Sequence, residues 1–321
     1  MGTPQHTIGS GFGARSTADD VLRGTDLSGK LAIVTGGYSG LGLETTRALA
    51  RAGARVVVPA RRRAPAEQAL AAIDGAEVDE LDLADQDSVR RFAERFLASG
   101  RPADLVINNA GIMACPETRT GPGWEAQFAV NHLGHYALVN RLRPALRPGA
   151  RVVAVSSAGH QLSAMRWDDV HFTRGYDRWL AYGQAKTANA LFAMHLNTLG
   201  RDAGIRAYSL HPGAIITPLQ RHLSRPDMIA KGWIDTHGNV IHPGFKTPEQ
   251  GAATAVWAAT SPLLTDHGGA YCEDCDLAAP TTSNEAWSGV RDHALAPSQA
   301  ARLWTLSAEL TGVDAFGPAG A

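Results

Sequence analysis

Leu31-Ala-Ile-Val-Thr-Gly-Gly-Tyr-Ser-Gly-Leu-Gly42 joins a short apolar run to a glycine-rich turn and the start of a helical stretch. Glycines at such a turn let the backbone bend tightly and approach a pyrophosphate, and the helix start behind them offers N–H donors and partial positive charge. Gly36, Tyr38, Ser39, Gly40, Leu41 and Gly42 are therefore candidate cofactor-binding residues. The same unit repeats downstream, with apolar runs at 55–58, 77–81, 104–107, 151–155 and 206–210 and a seventh near 270–272. Runs without polar alternation, separated by helical stretches, indicate strands covered on both faces and joined by parallel crossovers. The pattern predicts an α/β fold: a doubly wound, Rossmann-type parallel sheet of about seven strands.

At 321 residues, one large core with decorations is expected rather than two independent domains. Residues 1–28 read as an arm, disordered or draped over the surface up to residue 15, then a short helix at 17–23 with Ser16 or Thr17 as N-cap. Residues 29–321 form the domain, with a substrate loop at 217–247 and a C-terminal helix near 297–311 stopped by Gly312. A formal net charge of -1 gives no electrostatic reason to expect nucleic acid or an anionic membrane. No apolar stretch approaches the ~20 residues needed to span a bilayer. The N-terminus has no apolar signal-peptide core, and three cysteines exclude a disulfide framework, so a cytoplasmic location is expected.

Tyr182 and Lys186 stand four residues apart on a stretch, 179–199, whose Ala185, Ala188, Phe192, Leu196 and Leu199 recur at helical spacing. They share one helix face, and an ammonium beside a phenol favours the phenolate, lowering a pKa normally near ~10 toward a value useful for acid/base work.

With T-G-x-x-x-G-x-G at 35–42, further motifs follow in order: Asp82-Leu83, Asn108-Asn109-Ala110-Gly111, Asn131 within Val-Asn-His-Leu-Gly-His135, Ser156-Ser157, Tyr182/Lys186 and His211-Pro212-Gly213. Over roughly residues 28–280 this resembles the short-chain dehydrogenase/reductase family. The long serine-to-tyrosine gap, the N-H-L-G-H segment, the short helix before the first strand and Ala301-Arg-Leu-Trp304 resemble its retinol-dehydrogenase-like and WW-domain-oxidoreductase-like branch. The resemblance implies a catalytic set of Asn131, Ser157, Tyr182 and Lys186. Tyr182 would be the general acid/base, Ser157 a donor to the substrate oxygen, and Asn131 the holder of a water that links Lys186 to solvent. It also implies cofactor contacts from Asp82, Leu83, Asn109, Ala110, Gly111, Tyr182, Lys186, Pro212, Gly213 and Thr217. Ser157 rather than Ser156 is the expected donor, because the family's catalytic serine is usually the second of such a pair. Relatives often form dimers or tetramers, although the long C-terminal segment could cover a usual interface.

The end of the second strand is Ala60, followed by Arg61 and Arg62, where an acidic residue would select NAD. A guanidinium beside a vacant acidic position suits a 2'-phosphate. NADP is expected over NAD, with a solvated helix start as the alternative reading of Arg61–Arg63. The function expected is hydride transfer between NADP(H) and an alcohol or carbonyl of an apolar, ring-containing small molecule. The rivals are a non-catalytic dinucleotide sensor or scaffold and a nucleotide-sugar epimerase or dehydratase, whose glycine turn is usually more open than Gly40-Leu41-Gly42. Two insertions, one carrying Trp167, Phe172, Tyr176 and Trp179 and one carrying Trp233 and Phe245, follow strand ends and are candidate substrate walls or plain surface packing. Cys272-Glu-Asp-Cys275 has no second ligand pair and is read as structural thiols, with no metal expected. His160 and His211 flank the site as either substrate contacts or satisfied loop histidines, and His132/His135 read as packing.

Overall fold

In the computed structural model, residues 5–283 and 287–317 are described. The glycine-turn unit is the centre of the sheet. Strand β1 (Leu31–Val34) is buried at every position and leads into helix α2 (Gly40–Arg51), after the short α1 (Ala18–Leu22). The chain then runs through β2 (Arg55–Ala60), α3 (Arg63–Leu70), β3 (Ala76–Glu80), α4 (Gln86–Ala98) and β4 (Ala103–Asn108). A small hairpin, β5 (Arg119–Thr120) and β6 (Trp124–Glu125), precedes α5 (Ala126–Phe128), a π-helical turn at Ala129–Leu133 and α6 (Gly134–Arg141). Next come β7 (Leu146–Val155), α7 (Arg178–Gly200), β8 (Arg206–His211), α8 (Arg225–Ala230), α9 (Pro248–Thr260), β9 (Tyr271–Glu273), β10 (Asp276–Leu277) and α10 (Pro297–Thr311).

The main sheet has eight strands in the order β10-β9-β8-β7-β4-β1-β2-β3. All neighbours are parallel except β9 and β10. The sequence predicts about seven strands; the eighth is two residues long, too short to carry a period. It pairs back through Asp274 and Cys275, whose φ angles of 52° and 60° give the left-handed geometry of a tight hairpin. The order reverses between β1 and β4, which opens the crevice where such sheets bind ligands. Edge strand β3 is only partly buried, and Arg95 and Arg101 lie across its Asp79 and Glu77. Charges of this kind discourage edge-to-edge pairing.

Helix α7 begins where the Asp177 carboxylate accepts from Trp179 N and Leu180 N, 2.8 Å each. Its apolar spacing predicts one buried face, yet most of the helix is buried. The difference comes from α10, which lies across its outer side. Trp304 stacks on Phe192 (centroids 5.9 Å, 4° between planes) and meets Tyr136 edge-on at 4.8 Å. Its indole N–H donates to Asp314, and His132 Nε2 pairs with Ser307 Oγ at 2.7 Å. His132 is thus a packing residue.

The arm is draped and held. Gln5 Nε2 donates to the carbonyls of Tyr271 and Ala278, and the N–H groups of Ile8, Gly9 and Ser10 converge on the Asp276 carboxylate. Arg15 then donates to the carbonyls of Phe245 (2.9 Å) and Pro243 (2.7 Å), on the far limb of the loop at 217–247. Thr17 closes a capping box with Asp20 at α1. Among the described residues, no helix is long and apolar enough to cross a membrane.

Candidate functional site

The glycine turn leaves a cradle that side chains would fill. A Cβ on Gly42 would lie 2.3 Å from Gly36 O and 2.5 Å from Asn109 Nδ2, and Gly36 and Gly40 have φ of 65° and 53°. Ser39 is the N-cap of α2, but its hydroxyl makes no capping bond. Its hydroxyl and the α2 N–H groups are therefore available to a phosphate. Across the crevice, Thr35 Oγ1 accepts from Asn109 N (2.9 Å) and Ala110 N (3.0 Å), while Asn109 Nδ2 donates back to Thr35 O. These bonds tie the ends of β1 and β4 together. Thr217 approaches from the other side: a Cβ on Gly40 would sit 3.2 Å from it. Asp82 lies beyond β3, with its N–H on Ser88 and its carboxylate accepting from Ala84 N, and Leu83 is buried. The residues present fit a dinucleotide. At its adenosine end, Arg61 and Arg62 are exposed just past buried Ala60, whereas Arg63 is paired with Glu67 as the first residue of α3.

Asn131, Ser157, and Tyr182 with Lys186 come together from three different segments. Asn131 lies in the π-helical turn, a local distortion frequent at functional sites. Its amide exchanges two hydrogen bonds with the Ile112 backbone, 2.9 and 3.0 Å. A Cβ on Gly111 would lie 3.1 Å from Asn131 Oδ1 and 3.7 Å from Lys186 Nζ, so these groups meet at one point. His135 Nδ1 donates to Asn131 O, and its Nε2 accepts from Thr35 Oγ1. Ser156 and Ser157 diverge: Ser156 is buried and donates to Lys186 O at 2.7 Å, whereas Ser157 Oγ accepts from Gly159 N at 3.0 Å. That acceptance leaves the Ser157 proton free for another acceptor, and the Tyr182 ring lies close by. Gly159 lets the chain press on the ring, since a Cβ there would fall 2.7 Å from Tyr182 Cε1.

The electrostatics differ from the expected picture. Lys186 Nζ lies 5.6 Å from the Tyr182 ring centroid and donates to Val155 O at 2.9 Å. Burial pushes the Tyr182 phenol up to about 12, only partly offset by Ser157, and pushes the Lys186 ammonium down to about 8. Desolvation is the largest influence on both groups. The lysine therefore does not by itself bring the phenol into the neutral range.

The two aromatic insertions divide. Trp167 bonds Gln299 beneath Arg302, Phe172 is buried under Arg166, and the Tyr176 hydroxyl joins Cys115 O to Gln127, so these three are structural. Trp179 and Trp233, with Met113, Leu219, Leu223 and Met228, pack around Tyr182 as an apolar wall. Phe245 supports Trp233 from behind at 5.8 Å. The loop's far limb is fixed by Lys246, which donates through its N–H to Ala214 O and through Nζ to Asp274 at 2.5 Å. Its stem crosses the Pro212-Gly213 turn, where a Cβ on Gly213 would meet Lys246 Cε at 2.6 Å. Met113, Leu223 and Lys246 carry no sequence signal; only the closed loop reveals them.

His160 and His211 are both buried and bonded to the backbone around Ser157, which favours the satisfied-histidine reading. Cys115, Cys272 and Cys275 are buried free thiols whose pKa values burial raises, that of Cys275 to about 11. Such thiols are unreactive. Among the described residues no group of three or more His, Cys, Asp or Glu side chains could hold a metal ion.

A sheet that reverses at a glycine cradle, with Ser, Tyr and Lys converging on its open end, defines a dinucleotide-dependent oxidoreductase fold. A sequence profile described as short chain dehydrogenase matches residues 30–227, and the chain belongs to that family. It is 48% identical over 291 residues to a probable oxidoreductase of Streptomyces antibioticus, covering 87% of this chain and 96% of the relative. It is 36% identical over 296 residues to retinol dehydrogenase 12 of Mus musculus, covering 90% and 88%, in keeping with the retinol-dehydrogenase-like branch. The crystal structure of an uncharacterised Mycobacterium paratuberculosis protein superposes with a TM-score of 0.73 at 34% identity, covering 95% of this chain and all of that one.

Proposed function

We propose that this protein is an NADP(H)-dependent alcohol dehydrogenase or carbonyl reductase acting on an apolar small molecule in the cytoplasm. The observation that carries the reading is the Tyr182 phenol facing Ser157 inside a wall of Met113, Leu219, Leu223, Trp179, Met228 and Trp233. An apolar wall with two convergent hydroxyls binds a carbonyl by its oxygen and leaves its hydrocarbon body against the tryptophans. Bound cofactor supplies the hydride donor or acceptor. Ser157 donates a hydrogen bond to the substrate oxygen and stabilises charge that develops there. Tyr182 O–H gives the proton in reduction and recovers it in oxidation, and Lys186 with Asn131 returns protons to it from solvent. Such acid/base groups contribute about 10²–10⁴ in rate. The exposed Arg61 guanidinium would take the 2'-phosphate, and Ala60 presents no carboxylate to repel it.

The test is a screen of apolar aldehydes, ketones and alcohols, all-trans-retinal among them because of the retinol dehydrogenase relatives, following NADPH and NADH absorbance. Tyr182→Phe should abolish turnover and keep NADPH binding; a variant retaining most activity would sink the acid/base assignment. A dissociation constant for NAD equal to or below that for NADP would refute the Arg61 argument.

A further inference from the structure

In the hydride-transfer reading Ser157 must aim its hydroxyl at the substrate oxygen beside Tyr182, and its own side chain is too short to be steered from a distance. The direction is set by the peptide that follows it. Ser157 is extended, φ −171° and ψ 158°, at the point where β7 leaves the sheet. Its carbonyl oxygen accepts from His160 Nδ1 at 2.7 Å, from the Tyr271 hydroxyl at 3.1 Å and from His160 N at 3.0 Å. At the other side of the same peptide, Ala158 N donates to His211 Nδ1 at 3.0 Å. We propose that His160, Tyr271 and His211 are positioning residues that clamp the Ser157–Ala158 peptide and so aim the Ser157 hydroxyl at the reacting oxygen.

The bonds fix the proton on each ring. His160 Nε2 accepts from Arg291 N at 3.2 Å, so its hydrogen is on Nδ1, the nitrogen that meets Ser157 O. His211 accepts at Nδ1, so its hydrogen is on Nε2. The two imidazoles are opposite neutral tautomers, one serving a carbonyl and the other an N–H. Nothing in the clamp is solvent-exposed: His160 and Tyr271 are fully buried and His211 nearly so. It also fastens a distant part of the chain to the serine. His293 Nε2 pairs with His160 O at 3.0 Å, and Tyr271 belongs to β9. The C-terminal segment therefore acts on the site through His160 without touching substrate.

This inference rests on the hydride-transfer reading, and its test separates the two. Tyr271→Phe and His160→Phe are measured alone and in a Ser157→Ala background, with NADPH dissociation constants and melting temperatures alongside. Misaiming by a fraction of an ångström to 1 Å predicts that each variant alone lowers kcat roughly ten- to a hundredfold. NADPH affinity should stay within about twofold. His160→Asn, whose amide can place an N–H near the position of Nδ1, should restore most of the His160→Phe loss. In the Ser157→Ala background neither variant should lower kcat further, because the group being aimed is gone. Equal losses in both backgrounds, or no loss with Ser157 present, would overturn the clamp. Should the unsubstituted protein turn over no alcohol or carbonyl compound with either cofactor, the hydride-transfer reading fails instead, and ¹⁵N imidazole spectra decide the clamp. Protonated Nδ1 on His160 and protonated Nε2 on His211 sustain it, and any other assignment overturns it.

Discussion

Lys186→Met should make this protein more stable at neutral pH while removing its turnover. Lys186 is 4% exposed, and burial lowers its pKa from 10.5 to about 8. Below pH 8 the lysine is protonated in both folded and unfolded chains, and the folded state bears the full cost of the buried charge. At ~1.4 kcal/mol per pH unit that cost is about 3 kcal/mol. Between pH 8 and 10.5 the unfolded chain binds more protons than the folded one, so wild-type stability rises with pH across that window. Methionine has similar length and no charge. Its loss of the bond to Val155 O is softened because that carbonyl keeps Asn189 Nδ2 at 3.1 Å. A net gain of roughly 1–3 kcal/mol at pH 7 is expected after the lost contact. At ~2 cal/mol/K per residue over 321 residues, this is a rise of about 2–4 °C in melting temperature. Urea titrations followed by tryptophan fluorescence, run on both proteins at pH 7 and pH 10, read it directly. The variant's advantage should shrink between the two. A variant less stable than wild type at pH 7, or an advantage independent of pH, would refute the reasoning. The expected result would make Lys186 a residue kept for function at a cost in stability.

Three further outcomes follow from the geometry. Gly42→Ala forces a Cβ to 2.3 Å from a backbone oxygen, so it should cost about 1–3 kcal/mol in stability and weaken NADPH binding, checked by fluorescence titration. Trp304→Ala empties the contact between α10, Phe192 and Tyr136 and should destabilise by about 3–5 kcal/mol, seen as a lower urea midpoint with unaltered NADPH affinity in the folded protein. Trp233→Ala removes part of the apolar wall and should raise KM for an apolar carbonyl more than it lowers kcat, which steady-state kinetics over a series of chain lengths would check.

What could be read in advance was whatever repeats locally. The β1 turn, α2 and the strand rhythm are visible because both faces of each central strand are apolar and the glycines have no other use. Thr17 and Gly312 mark helix ends by local chemistry alone, and Gly312 has the left-handed φ of 69° that this role requires. The outer face of α7 could not be read, because what covers it is Trp304, more than a hundred residues later. The insertions carried no clue to which aromatics face Tyr182: Trp167 and Trp179 look alike in sequence, yet one bonds Gln299 and the other joins the wall. The charge balance between Tyr182 and Lys186 also escaped, since helix spacing reports that they are neighbours and not how little water reaches them.

The hydrogen bonds from Arg15 tie the N-terminal arm to the loop limb beside the Pro212-Gly213 turn. Its guanidinium grips the carbonyls of Pro243 and Phe245, three residues or fewer from Lys246, which crosses the Pro212-Gly213 turn. Arm, loop limb and turn form one mechanical linkage. A protease cut ahead of Ser16 would part Arg15 from α1 and so uncouple the arm's grip on this limb from the domain.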